Sequence, residues 1–90
     1  MRPLQTSRDL GAAIRRARQD RGLSQAELAA RAGVGRPWLS EVERGKRTAE
    51  VGRVLLVVCA LDLAVALVDA PEPADGRGVD IDALLAELVG

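Results

Sequence analysis

Apolar residues recur along this chain at intervals of three and four, and most of the interruptions are glycine. Leu10, Ala13, Ile14 and Ala17 fall on one helical face, with Arg8, Arg15, Arg16 and Asp20 on the other. The spacing predicts a first helix with Ser7 as its N-cap, Asp9 in the first turn, where a negative charge suits the helix dipole, and Gly22 just past its end. A second helix starts at Ser24, whose pairing with Glu27 three residues on fits a capping box. Its apolar residues are Leu28, Ala29 and Ala32, and Gly33 stops it after about two turns. The third has Gly35 as cap and Pro37 in the first turn, where a missing N–H costs nothing. It buries Leu39 and Val42 and ends at Gly45. A fourth is expected from a Thr48 cap to about Leu61, with Val51, Val54, Leu55 and Val58 turned inward.

Beyond Leu61 the period changes. Leu63, Val65 and Leu67 alternate with Ala64, Ala66 and Val68, which predicts a short strand over 63–68. Continuation of the fourth helix is the competing reading, since Leu and Ala favour helices. A lone strand in a helical chain has no partner within it, so the same strand of a second copy is the natural one. Residues 70–79 have the Pro, Gly and acidic composition of a linker. In 80–90, Asp80 or Asp82 caps a short amphipathic tail carrying Ile81, Leu84, Leu85, Leu88 and Val89. The expectation is thus an all-α fold of four to five helices over residues 1–69, with a helix pair at 24–44 and a C-terminal strand joining two chains.

Composition bears this out in part. Of 90 residues 48% are hydrophobic, yet Trp38 is the sole aromatic. Such a core consists of closely packed aliphatic helices and is thin, which favours dimerisation as a way to bury more. The zero net charge hides an asymmetry: residues 1–53 hold eleven Arg and one Lys against six acids, a net +6, and residues 54–90 hold Arg77 against seven acids, a net −6. A basic front half suits a polyanion, although an ordinary solvated surface carries the same charges. Cys59 alone cannot make an internal disulfide or a metal cluster, and reads as a small core residue. No apolar run suits a signal peptide or reaches the roughly 20 residues of a membrane span, so a cytoplasmic location and no membrane partner are expected. With no His, no usable Cys and no phosphate-cradling loop, neither catalysis, cofactor nor metal is expected.

The segment QAELAARAGVGRPWLSEVER, Gln25–Arg44, resembles the helix-turn-helix of the Xre, or Cro and lambda-repressor-like, family. Ala29 stands where the two helices cross, Gly33 at the turn, and Leu28, Ala32, Val34, Leu39 and Val42 at the buried positions. The resemblance implies that the second helix of the pair enters the major groove by its N-terminal end, where each base pair shows its own donor and acceptor pattern. Gly35, Arg36, Pro37, Ser40 and Glu41 then face DNA. Arg36 is the leading base reader, since a guanidinium grips guanine O6 and N7 bidentately; a phosphate contact is its other reading. Ser40 and Glu41 are further readers, with Glu41 either accepting from a cytosine amino group or bracing Arg36 or Arg44. Gln25 matches the family's phosphate-gripping glutamine, and Arg44, Lys46 and Arg47 are expected at phosphates. Trp38 either packs as core or offers its indole N–H to a phosphate. Arg18 and Glu43 match a structural ion pair of the family.

The longer segment WLSEVERGKRTAEVGRVLLVVCALDLAVALV is similar to HipB-type antitoxins, in which a strand after the helical domain pairs across the dimer axis. That resemblance implies a homodimer on an inverted repeat of double-stranded operator DNA, repression of its own operon, and neutralisation of a HipA-like serine/threonine kinase toxin. Leu63, Val65 and Leu67 are the expected strand residues. A stand-alone Xre-type regulator, or a protein-binding module that has lost DNA affinity, are the other readings. Deleting residues 71–90 is expected to leave DNA binding largely intact and to weaken toxin binding.

Overall fold

The computed structural model describes residues 3–70 and 81–89. Five helices follow in order: α1 (Ser7–Asp20), α2 (Gln25–Ala32), α3 (Arg36–Glu43), α4 (Val51–Ala60) and α5 (Ile81–Val89). No strand occurs among the described residues, so the fold is all-α. α2 lies against both α4 and α3, and α1 against α3. Between them sit Ile14, Leu23, Leu28, Ala29, Ala32, Leu39, Val42, Val54, Val57, Val58 and Leu61. Leu28, Leu39, Val57 and Leu61 are fully buried, and truncating any of the three leucines to Ala should cost about 2–5 kcal/mol.

The helix ends are chemically specified. α2 has the expected capping box: Ser24 Oγ accepts from the Glu27 amide at 3.0 Å, and Glu27 accepts from the Ser24 amide at 2.9 Å. For α1 the cap is Thr6 rather than Ser7, with Thr6 Oγ1 accepting from the Asp9 amide. A hydroxyl one position earlier reaches that amide, and Ser7 instead enters the first turn and donates to the Gly45 carbonyl. At the other end, α1 to α4 each stop through paired backbone bonds closed by a left-handed residue, which is Gly22, Gly33, Gly45 and Asp62 in turn. Asp62 holds φ +58°, and the Leu63 and Asp62 amides bond back to Val58 and Cys59 at 3.1 and 2.9 Å. This cap ends α4 at Ala60 and rules out the reading in which that helix runs on through Val68.

α4 departs from expectation at its start and on its inward face. It begins at Val51 after Glu50, not at a Thr48 cap, and Glu50 makes no side-chain capping bond. Val54, Val57, Val58 and Leu61 are buried, whereas Val51 and Leu55 face out. Cys59 is likewise exposed instead of contributing to the core. One close approach escaped the sequence reading: a Cβ on Gly11 would stand 2.2 Å from the Val42 carbonyl oxygen. Glycine there lets the backbones of α1 and α3 touch.

Candidate nucleic-acid interface

α3 divides cleanly by environment. Leu39, Val42 and Glu43 are buried, while Arg36, Pro37, Glu41 and Arg44 are exposed and Ser40 is half-buried. Gly35 caps the helix without a side-chain bond, so the N-terminal turn is open to solvent beside Arg36 and Pro37. Among the described residues nothing hydrogen-bonds or ion-pairs with the Arg36 side chain, which leaves all its donors available. The other two expected readers are engaged. Ser40 Oγ accepts from Arg44 Nη1 at 3.2 Å, and Glu41 takes Lys46 Nζ at 2.7 Å. The Lys46 hydrogen bond, then its charge, holds the Glu41 carboxyl below the usual range. Of the two roles open to Glu41, bracing has an observed partner, which is Lys46 rather than Arg36.

Behind this surface lies a buried charge cluster. Arg18 Nε and Nη2 donate to the two Glu43 oxygens at 2.7 and 2.9 Å, and Arg18 Nη1 donates to the Leu23 carbonyl at 2.8 Å. The two side chains are 11% and 3% exposed. Burial alone would raise the Glu43 pKa, but hydrogen bonds from Arg18 and Gln25, with the charges of Arg18 and Arg15, outweigh it and hold the carboxyl low. The same hydrogen bond to Glu43 raises Arg18 against the effect of its own burial. Gln25, expected at a phosphate, donates Nε2 to Glu43 Oε1 at 3.2 Å. Its amide is therefore oriented by the cluster at the start of α2.

A groove of about 240 Å³ opens over the cluster, lined by Arg15, Arg18, Gln25, Ser40, Glu43 and Arg44. Arg15 is a basic group that the sequence reading left as plain outward charge. Its position three residues before Arg18 on α1 was the available signal, because i and i+3 share a helix face.

Past α3 the remaining basic residues diverge. Lys46 is held by Glu41. Arg47 Nη1 donates to the Glu87 and Leu88 carbonyls of α5, the latter at 3.3 Å, and Glu87 Oε1 accepts from the Ser7 amide. α5 thus rests on the start of α1 and the turn after α3. Its first turn holds Asp82; Asp80 lies outside the described residues, as does the 71–79 part of the expected linker. Trp38 is half-buried against the core, the first of its two readings, and Arg53 Cζ lies 5.8 Å from its ring centroid. Arg53 was not singled out from the sequence.

Residues 63–70 take neither helix nor strand within the single chain, so the expected strand is absent here. They are instead strongly exposed: Leu63 46%, Val65 58% and Leu67 100%. Leu55 and Leu56 on α4 add to this outward apolar surface. Among the described residues no helix is long and apolar enough to cross a membrane, and no group of acidic or Cys side chains is placed to hold a metal ion.

Known proteins share this arrangement. A family model described as a helix-turn-helix domain matches residues 9–70. An uncharacterised HTH-type transcriptional regulator, y4mF, from Sinorhizobium fredii (strain NBRC 101917 / NGR234) is 41% identical over 64 residues, which are 67% of this chain and 84% of that protein. A chain of the HipA-HipB-O2-O3 complex superposes with a TM-score of 0.73 at 22% identity, covering 79% of this chain and all of the other. The master regulator for biofilm formation SinR, in complex with DNA, superposes with a TM-score of 0.57 at 32% identity over 61% of this chain and 89% of its own. The family match spans well over half the sequence and coincides with α1 to α4, the helices that build the groove and present Arg36. The chain belongs to the helix-turn-helix domain family, as an Xre-type transcriptional regulator with a HipB-like fold.

Proposed function

We propose that this chain is a homodimeric repressor that reads an inverted repeat in its own promoter and serves as the antitoxin to a HipA-like serine/threonine kinase. The observation that carries the DNA-binding half is the exposed N-terminal turn of α3, with Arg36 unpaired about one helical turn before Ser40, which lines the groove of Arg15, Gln25 and Arg44. A major groove admits this helix, and the flanking cations suit phosphates on either side. Arg36 reads the base; Gln25, Arg44, Lys46 and Arg47 hold the backbone. Ser40 and Glu41 adjust position more than they read, because Arg44 and Lys46 already occupy them. Trp38 buttresses α3 from the core side, with its indole N–H as a phosphate donor only at the rim.

Dimerisation draws support from the apolar surface of Leu55, Leu56, Leu63, Val65 and Leu67, which a single chain leaves in water. Leu63, Val65 and Leu67 form a strand once a second copy supplies the pairing edge. The kinase-antitoxin half rests on the HipB-like fold and on the extended apolar segment after α4, and is the more specific proposal. Two measurements test the pair. Affinity for the chain's own promoter DNA should fall steeply as salt rises from 50 to 200 mM, on the order of 10-fold or more, through counterion release. A kinase encoded in the adjacent reading frame should co-purify with the chain and lose activity in its presence. No DNA binding at low salt defeats the first half, and an unrelated neighbouring frame with no captured kinase defeats the second.

A further inference from the structure

Resting on the reading of Arg47 as a phosphate contact, we infer that α5 is an autoinhibitory strap, which occupies Arg47 and the start of α1 with its own carboxylate and carbonyls and competes there with the DNA backbone. The contact is chemical as well as steric. Arg47 donates to two α5 carbonyls and the Ser7 amide donates to the Glu87 carboxylate, so α5 presents acceptor oxygens to the donors a phosphate would use. The recess between α5 and the body is lined by Arg8, Arg44 and Gly45 as well, which places a negative group beside two further cations of the basic half. α5 docks through Ala83, Ala86 and Glu87 and leaves Leu85, Leu88 and Val89 in solvent. Among its described apolar residues only Ala83 and Leu84 are half-buried, so polar acceptors do much of the holding and a reversible contact follows.

The tether sets the size of the effect. Because α5 belongs to the same chain, its contact with the body is intramolecular, so even weak intrinsic affinity keeps it seated for much of the time. Apparent DNA affinity falls by the fraction of chains left open, which predicts a penalty of about 2- to 10-fold. Deleting residues 71–90, expected from the sequence to leave DNA binding largely intact, then gives a gain of that size.

The test measures promoter affinity at one fixed salt for the full chain, Glu87→Gln, Ala86→Pro and Asp82→Asn. Glu87→Gln replaces the charged acceptor for the Ser7 amide by a weaker neutral one, and Ala86→Pro breaks α5 without changing charge. Asp82→Asn makes the same charge change as Glu87→Gln at an exposed α5 residue that does not line the recess. Both contact variants should bind about 2- to 10-fold more tightly, with Asp82→Asn within 2-fold of the parent. The Ser7 amide resonance of the parent should also shift on adding DNA towards its position in Glu87→Gln. Equal affinities for parent and contact variants overturn the strap while leaving DNA binding intact, and an Asp82→Asn gain matching Glu87→Gln reduces it to bulk charge. Failure of every chain to bind DNA removes the function on which the strap rests.

Discussion

Without the Glu43 carboxylate, the 11%-exposed Arg18 guanidinium keeps only the Leu23 carbonyl, and Gln25 loses the acceptor that orients it. Breaking one side of a buried pair is costly, so Glu43→Ala should lose about 3–5 kcal/mol in urea denaturation; a loss under 1 kcal/mol would show the pair to be solvent-compensated. The pH dependence follows from the lowered pKa. Glu43 titrates lower in the folded chain than the roughly 4.3 of a free glutamate, so its contribution is present above that value and disappears as pH falls through the folded pKa. Stability should therefore drop below about pH 4 in the parent, and Glu43→Gln should flatten part of that drop. Arg36→Ala belongs to a different category: it should leave stability unchanged and cost about 1–3 kcal/mol of DNA affinity at one base pair per half-site. A uniform loss over all operator variants would make Arg36 a phosphate contact instead. The helix-turn-helix resemblance made the Arg18–Glu43 pair and the exposed place of Arg36 at the start of α3 legible. It did not show that Gln25 is already hydrogen-bonded, since Glu43 lies 18 residues away and the two meet only after folding. Arg44 and Lys46 are four and five residues from Ser40 and Glu41, and that spacing was the available signal for their contacts.

At the level of elements, the crossing of α1 over α3 depends on the missing Cβ of Gly11. Gly11→Ala inserts an atom 2.2 Å from the Val42 carbonyl and 2.9 Å from that of Glu43, and backbone cannot yield as a flexible side chain can. The variant should be destabilised by about 1–3 kcal/mol in denaturant titrations, despite alanine's better helix propensity. A stabilised variant would mean that the helices separate freely. Helices α1 to α3 were legible because glycines and a capping box punctuate a clear three-four repeat. α4 was less so: in Val51–Ala60 nearly every position is apolar, and several helical faces look equally buried. The face at 54, 57, 58 and 61 emerges only where α2 covers it. The end of α4 at about Leu61 was legible from the change of period, although an aspartate rather than a glycine takes the left-handed position and left helix continuation as a competing reading.

For the whole molecule, the charge asymmetry read from composition becomes an arrangement in space, with an acidic tail helix lying on the basic half. The alternation at 63–68 predicted a strand that a single chain cannot form, and its exposed apolar side chains are what a second chain would cover. Val65→Asp should accordingly shift the chain from dimer to monomer in sedimentation at micromolar concentration, and weaken operator binding by about 10-fold or more as the two half-sites uncouple. An unchanged dimer would place the interface elsewhere, on α4 for instance. The central claim, that two copies of α3 read paired half-sites, is tested most directly by a hydroxyl-radical footprint on the DNA preceding the chain's own reading frame. Two protected patches with centres about one helical turn apart, roughly 34–36 Å, are the predicted result. A single protected patch, or no protection at 50 mM salt, would contradict it.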